Sequence, residues 1–261
     1  LKKIESRSDS RRLSEVYRPI LFHLNNPNDQ IQLEELLDNQ PGLEVKNEIE
    51  GQLRELAKTN NPSKKLSSQE ISDEVNRILN GENINTYGTW VYYPWLNQVV
   101  HILPKNDFIN LRTNRNQYKI TPDERETLAQ KKIGVIGLSV GKAIALTIAT
   151  ERICGEIVLA DFDLLELSNL NRIQTGVQNL NIPKTVVAAR EIAEIDPFLK
   201  VRCFHDGITT ENMDAFLHSN GKMDLCIEVC DGLTTKIKVR EKARELRIPV
   251  VMNSSDRGTT D

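Results

Sequence analysis

The sequence predicts an α/β protein: a mostly parallel sheet with helices on both faces, preceded by a smaller α+β region. Three observations carry this. From Lys131 onward, short apolar runs alternate with helical stretches, the pattern of strand–helix–strand units. The first such run ends in a glycine turn that leads into a helix. Residues 1–120 are irregular and rich in Asn, Gln and Ser, and a length of 261 residues suits about two domains.

Within residues 1–120, the segments 29–38 (DQIQLEELLD) and 47–58 (NEIEGQLRELAK) space their apolar residues for helices. A loop, NNPSKK, follows. In the next segment, SSQEISDEVNRILNG, Ser67 or Ser68 is the expected N-cap and Gly81 the stop. At 89–103 (TWVYYPWLNQVVHIL) aromatic and β-branched residues dominate, with Pro94 and Asn97 near the middle, which predicts a β-hairpin. It supplies a small hydrophobic core or, alternatively, a partner-binding surface. From 121 the expected strands are KIGVIG, 156–161, 199–204, 223–229 and 248–253. The expected helices are 141–153, 183–195 (with proline in its first turn), 209–218 and 233–246.

Composition narrows the function. A formal charge of −3 excludes a strongly basic nucleic-acid binder. No apolar run approaches the roughly 18 residues that span a bilayer, and no charged-then-apolar leader precedes the first segment. Four cysteines without a CxxC pair argue against a structural zinc site and for reduced thiols in the cytoplasm. The chain starts at Leu1, not at Met, and stops at Asp261 within a polar run, so either end is open to being a cut rather than a natural terminus.

The chemistry concentrates after the first strand. Gly137-Leu138-Ser139-Val140-Gly141 joins strand to helix. Glycine lets the backbone approach a phosphate closely, and the helix start presents free N–H groups. Twenty residues after Gly141, Asp161 ends the next strand, where a carboxylate can accept hydrogen bonds from a ribose. The pattern is not a full GxGxxG: Ser139 stands where glycine is usual. A nucleotide site is the expectation. A turn that only lets helix and strand pack is the alternative.

The next segment separates the nucleotides. The run Asp161-Phe162-Asp163, then Ser168-Asn169-Leu170-Asn171-Arg172, Pro183-Lys184, Ile195-Asp196-Pro197 and a late Asp231 after a strand resembles the ThiF/MoeB/HesA family, the bacterial relatives of ubiquitin-activating enzymes. The resemblance covers roughly residues 131–258 and implies a Rossmann-like domain. The implied reaction is adenylation of a carboxylate by ATP with Mg²⁺, the substrate being one such as the C-terminus of a ubiquitin-like or sulfur-carrier protein. At matching positions it implies that Gly137, Ser139 and Gly141 cradle phosphate, with Asp163 beside them. Asp161 would take the ribose, and Asn169 the phosphates or the attacking carboxylate. Arg172 and Lys184 would supply positive charge, and Asp231 would hold Mg²⁺.

Ahead of the fold, Leu111 to Tyr118 (LRTNRNQY) is similar to the family's Arg-rich entry segment. That implies that Arg115, with Arg112 second, reaches the phosphate site of a neighbouring subunit in a homodimer. The near-zero net charge thus conceals a local set of cations, Arg112, Arg115, Lys142, Arg172 and Lys184, expected where a triphosphate could lie. Bland readings stand beside these: turn or cap for Asp163 and Asp231, surface charge for Arg172 and Lys184, an exposed connector for Arg115. Residues 87–95 and 112–121 look similar to large bacterial ThiF-domain proteins with a nitroreductase-like domain further along. The family's segment for gripping a protein tail would begin around 254–261. An NAD- or FAD-binding oxidoreductase and a non-catalytic nucleotide-binding interaction module remain as other classes. Ser139, and Gly232 where relatives commonly carry Asn, favour the module.

Overall fold

A computed structural model describes residues 15–218 and 221–252. Two compact units divide the chain. One is Pro19–Lys119; the other runs from Ile120 onward and includes the residues ahead of Pro19.

In the first unit a four-stranded sheet has the order β1-β3-β4-β2. Strands β3 (Thr89–Tyr93) and β4 (Gln98–Ile102) form the hairpin expected from sequence, closed by a turn in which Asn97 takes a left-handed φ of 50°. The edges are β1 (Ile20–Phe22) and β2 (Glu44–Asn47), neither expected from sequence. They are three and four residues long, and every residue of β2 is exposed, so no apolar alternation marks it. Helix α1 (Pro27–Asn39) packs Leu33 on Phe22, Tyr92 and Val99. Helices α2 (Ile49–Thr59), α3 (Ser68–Leu79) and α4 (Lys105–Thr113) enclose Leu53, Leu56, Tyr87 and Leu103. Ser67 caps α3 in a reciprocal box with Glu70, and left-handed Asn80 and Gly81 end it, as its sequence signals require. His101 is fully buried. It hydrogen-bonds the Tyr87 carbonyl at 2.6 Å and Asn47 at 2.9 Å, and stacks on Trp90 at 4.1 Å.

The second unit holds a five-stranded, wholly parallel sheet of order β7-β6-β5-β8-β9. Its strands are β5 (Lys132–Ile136), β6 (Glu156–Ala160), β7 (Lys200–Phe204), β8 (Leu225–Glu228) and β9 (Val250–Met252). Alternate residues point to opposite faces. Ile133, Val135, Ile157, Leu159 and Ile227 meet α6 (Gly141–Glu151) and α7 (Lys184–Ile195) on one face. Ile136, Val158, Ala160 and Cys226 meet α8 (Met213–His218) and α9 (Leu233–Glu245) on the other. A short α5 (Pro122–Leu128), capped by Thr121 and Glu124, leads into β5. This is the Rossmann-like architecture expected from sequence.

Helix boundaries moved where side chains cap. The helix expected from 209 begins at Met213, because Thr209 and Asn212 exchange side-chain–backbone bonds of 2.8 and 3.2 Å and hold an open turn. Arg190 Nε donates to the Val16 carbonyl at 2.8 Å, and Tyr17 packs against the core beside α7, which ties the start of the described chain to this unit. No helix among the described residues is long and apolar enough to cross a membrane. Residues 254–261, where the sequence places the start of a tail-gripping segment, lie outside the described residues.

Candidate functional site

The C-terminal ends of β5, β6 and β8 gather the predicted loop, the Asp161 turn and the turn bearing Asp231. Gly137 leaves β5 with φ +87°, a left-handed conformation that glycine takes at no steric cost. A Cβ there would lie 2.9 Å from Cys230 Cα, Cys230 N and the Val229 carbonyl carbon. The loop backbone therefore presses on the segment just ahead of Asp231, which only glycine permits. Gly141 opens α6, and a Cβ on it would meet Val135 Cγ1 at 2.8 Å and Val229 Cγ2 at 3.0 Å. No side chain caps the start of α6, so its amides remain available to an anion.

Asp161, 9% exposed, knits two turns together. Its Oδ2 accepts from Leu138 N at 2.6 Å and its Oδ1 from Asp163 N at 2.8 Å. Burial pushes its carboxyl up, while these amides and Lys184 pull it the other way. The assignment of Asp161 to a ribose gains a second task here: the carboxylate is a strut of the loop. Each oxygen keeps a second lone pair for a hydroxyl donor.

Lys184, the first residue of α7, is 4% exposed and lies at the loop. Its Nζ donates to Asp163 Oδ2 at 2.7 Å and to Ser139 Oγ at 3.4 Å, and its amide donates to the Asp163 carbonyl at 3.0 Å. Ser139, Asp163 and Lys184 thus form one polar cluster, and the surface-charge reading of Lys184 does not hold. Asn169 is buried, but its Oδ1 accepts from Glu166 N at 3.0 Å and fastens the 3₁₀ turn Leu167–Asn171. Only its amide nitrogen suits the role that the resemblance implies. Arg172 stands exposed with Nη1 on Asn171 Oδ1 at 3.0 Å, outside the Lys184 cluster. Asp231 is exposed in the turn after β8. Arg115 lies in the first unit, exposed on the 3₁₀ helix Asn114–Tyr118, lining a cleft with Lys58 and Arg112.

Lys142 was expected among the cations placed for a triphosphate. It is 3% exposed and is consumed by Glu191 Oε2 at 2.5 Å and the Gln174 carbonyl at 2.6 Å. Sequence reasoning missed Glu228 and Lys236. Glu228 is fully buried at the end of β8, and Lys236 Nζ bonds both its oxygens at 3.1 and 3.0 Å. The available signal was a lone carboxylate inside the apolar run LCIEVC. All four cysteines are free thiols. Burial pushes Cys154, Cys203 and Cys226 up to about 12 and Cys230 to about 11, so none is prepared as a nucleophile.

The ThiF family matches residues 112–260, more than half of the chain. The chain belongs to the ThiF family. Among relatives, the protein MT1398 of Mycobacterium tuberculosis is 45% identical over 172 residues, covering 66% of this chain and 24% of that protein. Ubiquitin-like modifier-activating enzyme 5 of Culex quinquefasciatus is 25% identical over 134 residues, covering 48% of this chain and 34% of the enzyme. Of solved structures, the E. coli tRNA N6-threonylcarbamoyladenosine dehydratase in complex with ATP matches with a TM-score of 0.55 at 26% identity. That match covers 61% of this chain and 65% of the other. The chain spans about a quarter to a third of the length of these two curated relatives.

Proposed function

We propose that the chain catalyses ATP-dependent adenylation of a carboxylate on a small protein's C-terminus, as a ubiquitin-like-modifier activator does. The observation that carries this is Lys184, a buried ammonium held between Ser139 of the glycine loop and Asp163. Membership of the ThiF family, a relative named as a ubiquitin-like modifier-activating enzyme and a structural neighbour bound to ATP support the same reading.

The residues fit a triphosphate. A Cβ-free loop at Gly137, the uncapped start of α6 and a buried ammonium supply N–H groups and positive charge where phosphate oxygens would lie. In adenylation the substrate carboxylate attacks the α-phosphorus and pyrophosphate leaves. Charge grows on the phosphate oxygens, so fixed cations lower the barrier. Lys184 and Arg172 take that role, the latter on moving from Asn171. Asp161 holds the ribose while bracing the loop. Asn169 directs its amide at the phosphates or the incoming carboxylate. Mg²⁺ suits one exposed carboxylate plus substrate phosphates, which is what Asp231 offers, and when bound it neutralises the leaving group.

Arg115 reaches the site from a second copy in a cytoplasmic homodimer, and a nitroreductase-like domain follows in the full protein. Calorimetry with ATP and Mg²⁺ against NAD and FAD tests the site. Binding of NAD or FAD with none for ATP overturns it. Mixing inactive Arg115→Ala and Asp231→Ala protomers tests the shared site: activity returns in part if the sites are composite, and none returns if they are not.

A further inference from the structure

Glu228 ends β8 with its carboxylate wholly removed from water. Replacing a buried ion pair with apolar residues of similar volume is often neutral or stabilising, so packing alone does not call for a charge here. Lys236 is equally out of place by local rules. It lies near the start of α9, where the helix dipole disfavours a cation. The two side chains compensate each other through both carboxylate oxygens, and Glu228 Oε1 also accepts from Cys230 N at 2.8 Å.

What these bonds hold is the turn Val229–Gly232. Gly232 caps α9 without a side-chain hydrogen bond, and glycine is the least restrained residue such a turn can carry. The turn is otherwise fastened by Val229 N on the Ile136 carbonyl at 2.9 Å and by the Gly232 carbonyl, which accepts from Lys236 N at 3.0 Å. Its other neighbour is the Gly137 backbone, which leaves no room for a methyl group between them. An unbroken path therefore runs from Lys236 through Glu228 and Cys230 to the phosphate loop, and Asp231 is the next residue along it.

We propose that Glu228 and Lys236 are positioning residues: a buried clamp that fixes the Val229–Gly232 turn against the Gly137 loop and so sets the Asp231 carboxylate for Mg²⁺-bound triphosphate. This rests on the ATP site proposed above. The clamp touches neither substrate nor metal. It replaces the restraint that a side chain at position 232 would supply.

The test is calorimetric binding of ATP with and without Mg²⁺, on chains whose folding is checked by circular dichroism. Lys236→Met alone leaves a buried, unpaired carboxylate and risks unfolding. The informative variant is therefore the double substitution Glu228→Leu with Lys236→Met, which keeps the volume and removes both charges. Outer-shell partners of metal ligands typically contribute about 10- to 100-fold in affinity. The double variant should therefore lose about 10- to 100-fold in the Mg²⁺ enhancement of ATP binding while metal-free ATP binding holds. Lys236→Arg should retain the enhancement. A folded double variant with the full enhancement overturns the clamp, as does one in which both affinities fall equally. Asp231→Ala separates the two levels: if it too keeps the full enhancement, the assignment of Mg²⁺ to Asp231 is wrong and the clamp falls with it.

Discussion

Substituting Gly137 with alanine separates two costs that the structure makes distinct. The residue sits at φ +87°, where an L side chain costs about 1–2 kcal/mol. Its new Cβ would also lie 2.9 Å from three atoms of the Val229–Cys230 backbone, inside the 3.4 Å at which ordinary contact begins. Backbone atoms tied by Val229 N to the Ile136 carbonyl and by Cys230 N to Glu228 cannot swing aside as a flexible side chain can. Overpacking of this kind adds about 1–3 kcal/mol. The sum, about 2–5 kcal/mol, lowers the melting temperature by on the order of 10 °C for a unit of this size. Gly221 is the control within the same unit. It has φ +95° and nothing within 4 Å of an added Cβ, so Gly221→Ala carries only the conformational part, about 1–2 kcal/mol. Urea denaturation followed by far-ultraviolet circular dichroism reads both. Gly137→Ala should also weaken ATP in calorimetry, because relief of the contact moves the loop. Equal destabilisation by the two substitutions would refute the close approach of loop and turn.

Three further outcomes follow from named contacts. Asp196 is fully buried, bonds Arg152 Nε at 2.7 Å and accepts from Phe198 N at 3.0 Å, so Asp196→Ala should cost about 3–5 kcal/mol in urea denaturation and Asp196→Asn less. Lys184→Met should weaken ATP about 10- to 100-fold by calorimetry, the worth of a charge-assisted hydrogen bond, with the fold retained in circular dichroism. Burial lowers the pKa of His101 below its ordinary 6.5. The unfolded chain therefore takes up the proton first, and the first unit should be most stable above pH 6.5 and lose stability as pH falls through the depressed value. Urea titrations of Trp90 and Trp95 fluorescence between pH 8 and 5 check this, because both tryptophans lie in that unit; a flat profile refutes it.

The path from sequence to site is uneven for physical reasons. The five parallel strands were legible because each is a short run between helix signals, and β5, β6 and β8 bury residues on both faces. Ser67, one of the two caps expected for α3, was marked by local capping chemistry, which acts within four residues and so is written in the chain. Strand β2 was not legible. It is exposed throughout and exists because β4 offers it a parallel partner, a fact of tertiary pairing. Lys142 and Lys184 are both lysines at the first turn of a helix following the nucleotide motifs, and nothing local tells them apart. Packing sends one onto Glu191 and the other onto Ser139 and Asp163.

By itself the sequence determined the alternation of strands and helices, the glycine turn and the order of the polar motifs, because these rest on periodicity, backbone freedom and fixed spacing along the chain. The tertiary structure alone decided how each charge is used. It made Asp161 a strut as well as a ribose candidate, took Lys142 out of the site and put Lys184 into it. It also brought Glu228 and Lys236 into contact beneath Asp231. A charge is defined by what lies within a few ångströms of it, and for buried groups those neighbours come from other elements of the fold.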